Sequence, residues 1–211
     1  MQYYTNQPVN VCLDGSGNLK ITALKTSNSS APYTSARIKT KGKFEFKYGR
    51  VEARMKLPSG KGIWPAFWML GANFDQVGWP NCGEIDIMEM RGSIPNTTLV
   101  TLHGPGYSGS SGKTNPYTLK NGRFDEDYHV FAVEWYKDSI MFYVDNDRVV
   151  KRLKQNISPW VFDNNFFIIL NLAVGGTFDG NPNSSTVFPQ VMLIDYVKVY
   201  SRKEETTGIE R

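Results

Sequence analysis

Cysteine is scarce in this chain, long apolar runs are absent, and neither charge nor helical periodicity is concentrated anywhere along it. Two cysteines, Cys12 and Cys82, make no metal site; the sequence leaves a disulfide between them open, and they are expected as free or buried thiols. No stretch approaches the roughly 18 apolar residues of a membrane span, and the Met1 start carries no leader. That start fits a cytosolic protein and a secreted one with its leader removed equally well. The net charge is only +4, with basic and acidic residues interleaved. A nucleic-acid groove needs clustered Lys and Arg, and the nearest approach, Lys39, Lys41, Lys43 and Lys47, reads instead as the solvent face of a strand. Neither nucleic acid nor a membrane is an expected partner. Helical stripes longer than one or two turns are missing too, leaving FDEDYH (124–129) and ISPWVFDN (157–164) room for short helical turns at most.

What the chain does have is alternation. GNLKITALK (17–25), SARIKTKGKFEF (35–46), GRVEARMKL (49–57), EIDIMEM (84–90), TLVTLHG (98–104), YHVFAVEWY (128–136), SIMFYVDNDRVV (139–150), FFIILNLAV (166–174) and MLIDYVKVY (192–200) read as strands. Gly, Pro, Asn and Asp clusters divide them, and Asn146 and Asp147 fall at the tip of a hairpin. Forty per cent of residues are apolar, enough for a core, and 13 per cent are aromatic, a bias that suits strands. Many strands without crossover helices predict an all-β, two-sheet antiparallel sandwich. FFIILNLAV, apolar on both faces, belongs at its centre. With no linker and no internal repeat, residues 1–200 are expected as one domain and 201–211 as a polar tail.

One strand carries an unusual load. Glu84, Asp86 and Glu89 lie within EIDIMEM. In a regular strand Glu84 and Asp86 share a face and Glu89 turns to the other, where burying a lone glutamate is very costly. One extra residue, a β-bulge near Met88, returns Glu89 to the face of the other two. The Cα atoms of Glu84 and Glu89 then lie roughly 13 Å apart, four steps of about 3.3 Å. Their side chains could lean over Asp86 toward the roughly 5–5.5 Å separation of retaining glycosidases. A solvated acidic strand or a divalent-metal site fits the pattern alone about as well.

The wider sequence separates these readings. WPNCGEIDIMEM resembles the E-x-D-x-x-E signature of the laminarinase-like branch of glycoside hydrolase family 16. YTSARIKTKGKFEFKYGRVEARMKLPSGKGIWPAFWML (33–70), LHGPGYSG (102–109), NLAVGG (171–176) and DYVKVY (195–200) are similar to family segments in family order. The resemblance implies a jelly-roll, concanavalin-like sandwich with a glycan cleft on its concave face, acting as a secreted, retaining endo-β-1,3-glucanase. Mixed β-1,3-1,4-glucan is a further substrate it allows, and a non-catalytic β-glucan-binding module is the alternative. Glu84 would be the nucleophile, Glu89 the acid/base and Asp86 their assistant.

By the same resemblance Trp64 and Trp79 would be sugar platforms, with Trp68 sharing the face of Trp64 if GIWPAFWML is extended. For an isolated tryptophan, core packing is the commoner fate. Arg54 would donate to sugar hydroxyls or pair with one of the acids. His103 would support the acid/base, and Asn171 would lie near the donor-side sugar. No cofactor is expected for catalysis. A structural calcium is implied at Asp195 and the carbonyl of Gly17, weakened because relatives carry a further N-terminal segment that supplies another ligand. That segment's absence would also open an edge beside DYVKVY and allow weak self-association of an otherwise monomeric chain. Phe178 stands where relatives often have Trp.

Overall fold

In the computed structural model, residues 1–27 and 30–201 are described; the rest of the expected 201–211 tail lies outside them. Among the described residues, fifteen strands form two sheets. They are β1 (Gln2–Tyr4), β2 (Val11–Leu13), β3 (Leu19–Lys25), β4 (Tyr33–Ser35), β5 (Arg37–Lys39), β6 (Gly49–Lys56), β7 (Ile63–Gly71), β8 (Glu84–Met90), β9 (Thr97–His103), β10 (Asn115–Thr118), β11 (His129–Trp135), β12 (Ser139–Val144), β13 (Asp147–Leu153), β14 (Phe166–Val174) and β15 (Gln190–Tyr200). The larger sheet runs β1-β4-β3-β15-β6-β11-β12-β13, with β2 beside β3, and the smaller runs β10-β9-β8-β7-β14-β5. Pairing is antiparallel except between β1 and β4, so the expected sandwich is present with one parallel pair at its edge.

Side-chain parity puts the core between the sheets. Along β7, Ile63, Phe67 and Met69 belong to the core, and along β14 so do Phe166, Ile168, Leu170, Leu172 and Val174. The intervening residues of β14 are buried as well, on the outer face, where Phe167 and Ile169 pack with Leu70, Cys82 and Trp68. This second, shallower cluster is why FFIILNLAV is apolar throughout. Trp64, Trp68 and Asn171 share that outer face, where side chains of the smaller sheet line the cleft.

Three expectations are corrected. SARIKTKGKFEF is not one strand: Ser35 ends β4 in the larger sheet, the buried Ala36 follows, and Arg37 starts β5 in the smaller one. Only Lys39 of the four lysines lies in a strand, because residues 41–43 form a turn. In the hairpin, Asp147 already pairs with Val144, so the tip is Asp145–Asn146, with Asp145 at φ 53. GIWPAFWML proves to be a full strand, β7, between β8 and β14. Cys12 and Cys82 are free, Cys82 fully buried.

Candidate active site

The bulge sits where the acids require it. Opposite β7, Glu84 faces Leu70, Asp86 faces Trp68 and Glu89 faces Ala66; opposite β9 the three face His103, Thr101 and Leu99. Five steps along β8 thus cover four on each neighbour, and the surplus falls at Ile87 and Met88, both fully buried. Glu89 returns to the outer face, and all three carboxyls line one cavity. A second cavity adjoins it across Glu84, Glu89 and Trp64.

Each glutamate is held by one indole. Trp79 Nε1 donates to Glu84 Oε2 at 2.8 Å, and Trp64 Nε1 donates to Glu89 Oε1 at 2.9 Å. These bonds leave Oε1 of Glu84 and Oε2 of Glu89 for chemistry. His103 stands over the pair from β9, its Nε2 3.1 Å from Asp86 Oδ2 and 3.8 Å from Glu84 Oε1. Asn171, buried on β14, accepts from Trp68 Nε1 at 2.8 Å. Trp79, 45% exposed, keeps ring surface open to solvent.

Burial makes three like charges here untenable. Desolvation, then the charge of Asp86, pushes Glu84 up to about 9; desolvation pushes Glu89 up to about 7; and Asp86, the deepest, is raised well above its ordinary value by burial and by Glu89. If Asp86 were charged, that order would put a proton on Glu84, the wrong group to attack a sugar. The geometry favours Asp86 as the holder. It is 2% exposed, its Oδ2 has no aligned donor, and it lies within hydrogen-bond reach of Glu84, which alone accepts the Trp79 N–H. A proton on Asp86 removes the like charge that adds to desolvation in raising Glu84. Glu84 is then free to be the anion, while Glu89 stays within reach of protonation near neutral pH.

Glu84, Asp86 and His103 also offer donor atoms within 4.8 Å of one another, a spacing a metal could use. A metal on Nε2 would move the imidazole proton to Nδ1, which is buried without a partner, whereas ligating histidines donate that N–H to an acceptor. The cluster suits proton sharing better.

Residues 2–198 match the profile of Glycosyl hydrolases family 16. The chain belongs to that family. It is 40% identical over 222 residues to glucan endo-1,3-beta-glucosidase A1 of Niallia circulans, aligning 96% of this chain with 32% of that protein, so it spans about a third of that relative's length. Among solved structures, the laminarinase catalytic domain from Thermotoga maritima superposes with a TM-score of 0.91 at 48% identity, covering 96% of this chain and 84% of that one. The endo-beta-1,3-glucanase from Pyrococcus furiosus gives 0.89 at 52% identity, covering 95% and 80%.

The family 16 cleft thus gathers Glu84, Asp86, Glu89, Trp64, Trp68, Trp79, His103 and Asn171, as the sequence predicts. Arg54 is the exception. Its neighbours Val51, Ala53 and Met55 face the core from β6, so parity sends Arg54 to the outer surface of the larger sheet, opposite the cleft. It pairs there with Asp195 at 2.8 Å and lies 4.5 Å over the ring of Tyr128. Tyr128 donates to Asn18 Oδ1, which ties Arg54 to the turn containing Gly17. Asp195 is thus linked to that turn through Arg54 and Tyr128. Yet a guanidinium already neutralises the carboxylate, so the residues as placed do not fit a calcium ion unless Arg54 moves.

Sequence reasoning missed Arg91, Arg37, Tyr4 and the closeness of Phe178. Arg91 lines the second cavity and keeps the parity of Glu89 two residues on, a signal that could have found it. Arg37 and Tyr4 line the first, with the Arg37 guanidinium 4.9 Å over Tyr4 and 5.4 Å over Trp68. No periodicity announces Arg37, because it follows the switch between sheets.

Proposed function

We propose that this chain is a secreted, retaining endo-β-1,3-glucanase that works by double displacement. The observation that carries it is the bulged strand presenting three carboxyls on one face, with an indole N–H on one oxygen of each glutamate. The names borne by its relatives supply the substrate class, since endo-1,3-β-glucosidase and laminarinase recur among them. Glu84 Oε1 attacks the anomeric carbon while Glu89 gives its proton, from Oε2, to the departing glycosidic oxygen. A glycosyl ester on Glu84 results. Glu89, now a carboxylate, takes a proton from water, which displaces Glu84 and restores both groups. Asp86, with His103 Nε2 3.1 Å from its Oδ2, holds the proton beside Glu84, so that ester formation does not strand a buried anion. Action on a polymer implies a site outside the cell.

A glucan-binding module of the same fold would need the cleft but not the acids, and the acids with their paired indoles favour the enzyme. Laminarin incubated with the protein should release reducing ends, with β-configured product appearing first by proton NMR. Glu84→Gln and Glu89→Gln should each lose about 10²–10⁴-fold or more in turnover. Wild-type turnover by either variant refutes the assignment.

A further inference from the structure

The indole of Trp64 decides which oxygen of Glu89 is free to carry the proton, and something must hold that indole in plane. The ring of Phe178 lies against it, with centroids 4.5 Å apart and planes at 23°. Phe178 comes from residues 175–181, after β14, a stretch with no regular secondary structure.

That stretch is fixed by its next residue. Asp179 is 5% exposed. Its Oδ2 accepts from the backbone N–H of Gly62 at 2.8 Å and of Ser93 at 3.1 Å, its Oδ1 accepts from the Ser93 hydroxyl, and Lys61 Nζ lies 3.5 Å away. Gly62 precedes Trp64 by two residues, and Ser93 follows Glu89 by four. One buried carboxylate thus ties the segment bearing Phe178 to the strand of the indole and to the strand of the acid. The Arg91 guanidinium stands over the Phe178 ring at 4.9 Å. With the indole against one face and a cation over the ring, Phe178 is half-buried, and its remaining surface borders the second cavity.

We infer that Phe178, clamped by Asp179, is a positioning residue for Glu89 that acts through Trp64 and not a sugar platform. This rests on the reading of Glu89 as the acid/base. Loosening the stack frees the indole N–H and leaves the proton of Glu89 to wander between its oxygens. Turnover falls where the leaving group must be protonated, and binding is spared.

The test compares laminarin with a 2,4-dinitrophenyl β-laminaribioside, whose leaving group departs without a proton. Phe178→Ala is expected to lose about tenfold or more in kcat on laminarin, part of the 10²–10⁴-fold that acid catalysis supplies, with KM little changed. Its first-turnover burst of dinitrophenolate should match the wild type. The alkaline limb of kcat/KM on laminarin should move to higher pH, because Glu89 loses a hydrogen bond that favours its charged form. Phe178→Trp should restore the wild-type pattern, and Phe178→Leu, which keeps bulk without the flat face, replaces the alanine variant if that fails to fold. A rise in KM with kcat unchanged, or equal slowing on both substrates, overturns the proposal. Glu89→Gln is the control. If it slows laminarin and dinitrophenyl release alike, the acid/base assignment fails and the inference falls with it; if only Phe178→Ala behaves that way, the inference alone is lost.

Discussion

Replacing Glu84 by glutamine should stabilise the fold increasingly as the pH rises. Burial lifts the Glu84 carboxyl from 4.5 to about 9, with Asp86 adding to the rise, and Asp86 is itself raised, so the folded pair holds one proton, resting on Asp86 when Glu84 acts as the anion, that the unfolded chain releases. The stability this proton contributes is complete below about 4.5 and drains away as the pH climbs toward about 9. At about 1.36 kcal/mol per pH unit the ceiling is about 6 kcal/mol by pH 9. Asp86 shares the proton, so we expect roughly half of that from Glu84 alone. In a domain this size 1 kcal/mol moves the melting temperature by about 2–4 °C. Glutamine keeps an oxygen to accept from Trp79 Nε1 and carries no charge. Glu84→Gln should therefore melt within about 2–3 °C of the wild type at pH 5 and about 6–12 °C above it at pH 9. Differential scanning calorimetry of both proteins across pH 5–9 provides the measurement. A melting difference that stays flat with pH, or shrinks, would show that Glu84 is not the group whose charge the fold opposes.

Azide added to Glu84→Ala on an activated β-glycoside should yield an α-glycosyl azide, seen by NMR; a β-azide would contradict attack from the face of Glu84. Calcium should raise the melting temperature of the wild type only slightly, and Arg54→Ala, which frees Asp195, should respond more; a steep wild-type rise at micromolar calcium would mean that Arg54 yields readily. Beyond Ile194, β15 pairs only with β6 among the described residues, so weak concentration-dependent association is expected by light scattering and should fall when Val197 is replaced by Lys; a strict monomer at high concentration removes that edge from consideration.

Most of the sandwich was legible because most strands keep an unbroken period of two, and parity alone then assigns faces. GRVEARMKL shows both the strength and the misuse of that rule. The alternation of Val51, Ala53 and Met55 marks a strand with Arg54 pointing away from the core. Placing Arg54 in the cleft fails because parity cannot say which of two sheets the strand joins, and the outer faces of the two sheets are opposite sides of the molecule. SARIKTKGKFEF hid a harder feature. A chain that leaves one sheet at Ser35 and enters the other at Arg37 keeps its polar–apolar rhythm through the crossing, so the rhythm cannot report the switch. Trp64 and Trp79 were legible as cleft residues, but not their bonds to Glu89 and Glu84, since a tryptophan's ring and its N–H can serve different neighbours and only packing decides.

The bulge in β8 is where sequence and chemistry constrain each other most tightly. A strand whose two flanking neighbours hold their register must choose between burying Glu89 in the core and giving up one set of ladder bonds. An uncompensated buried carboxylate costs far more than a hydrogen bond or two, so the ladder yields at Ile87 and Met88. Their apolar side chains, both fully buried, make the yield tolerable by filling the core where pairing is lost. The same displacement brings Glu89 over Ala66, whose small side chain is flanked along β7 by Trp64 and Trp68. Glu84, Asp86 and Glu89 then share low-dielectric surroundings in which none can ionise independently of the others. The cost that an acid row places on the fold thus becomes proton sharing among three carboxyls, and without the bulge the same sequence would send Glu89 to the opposite face.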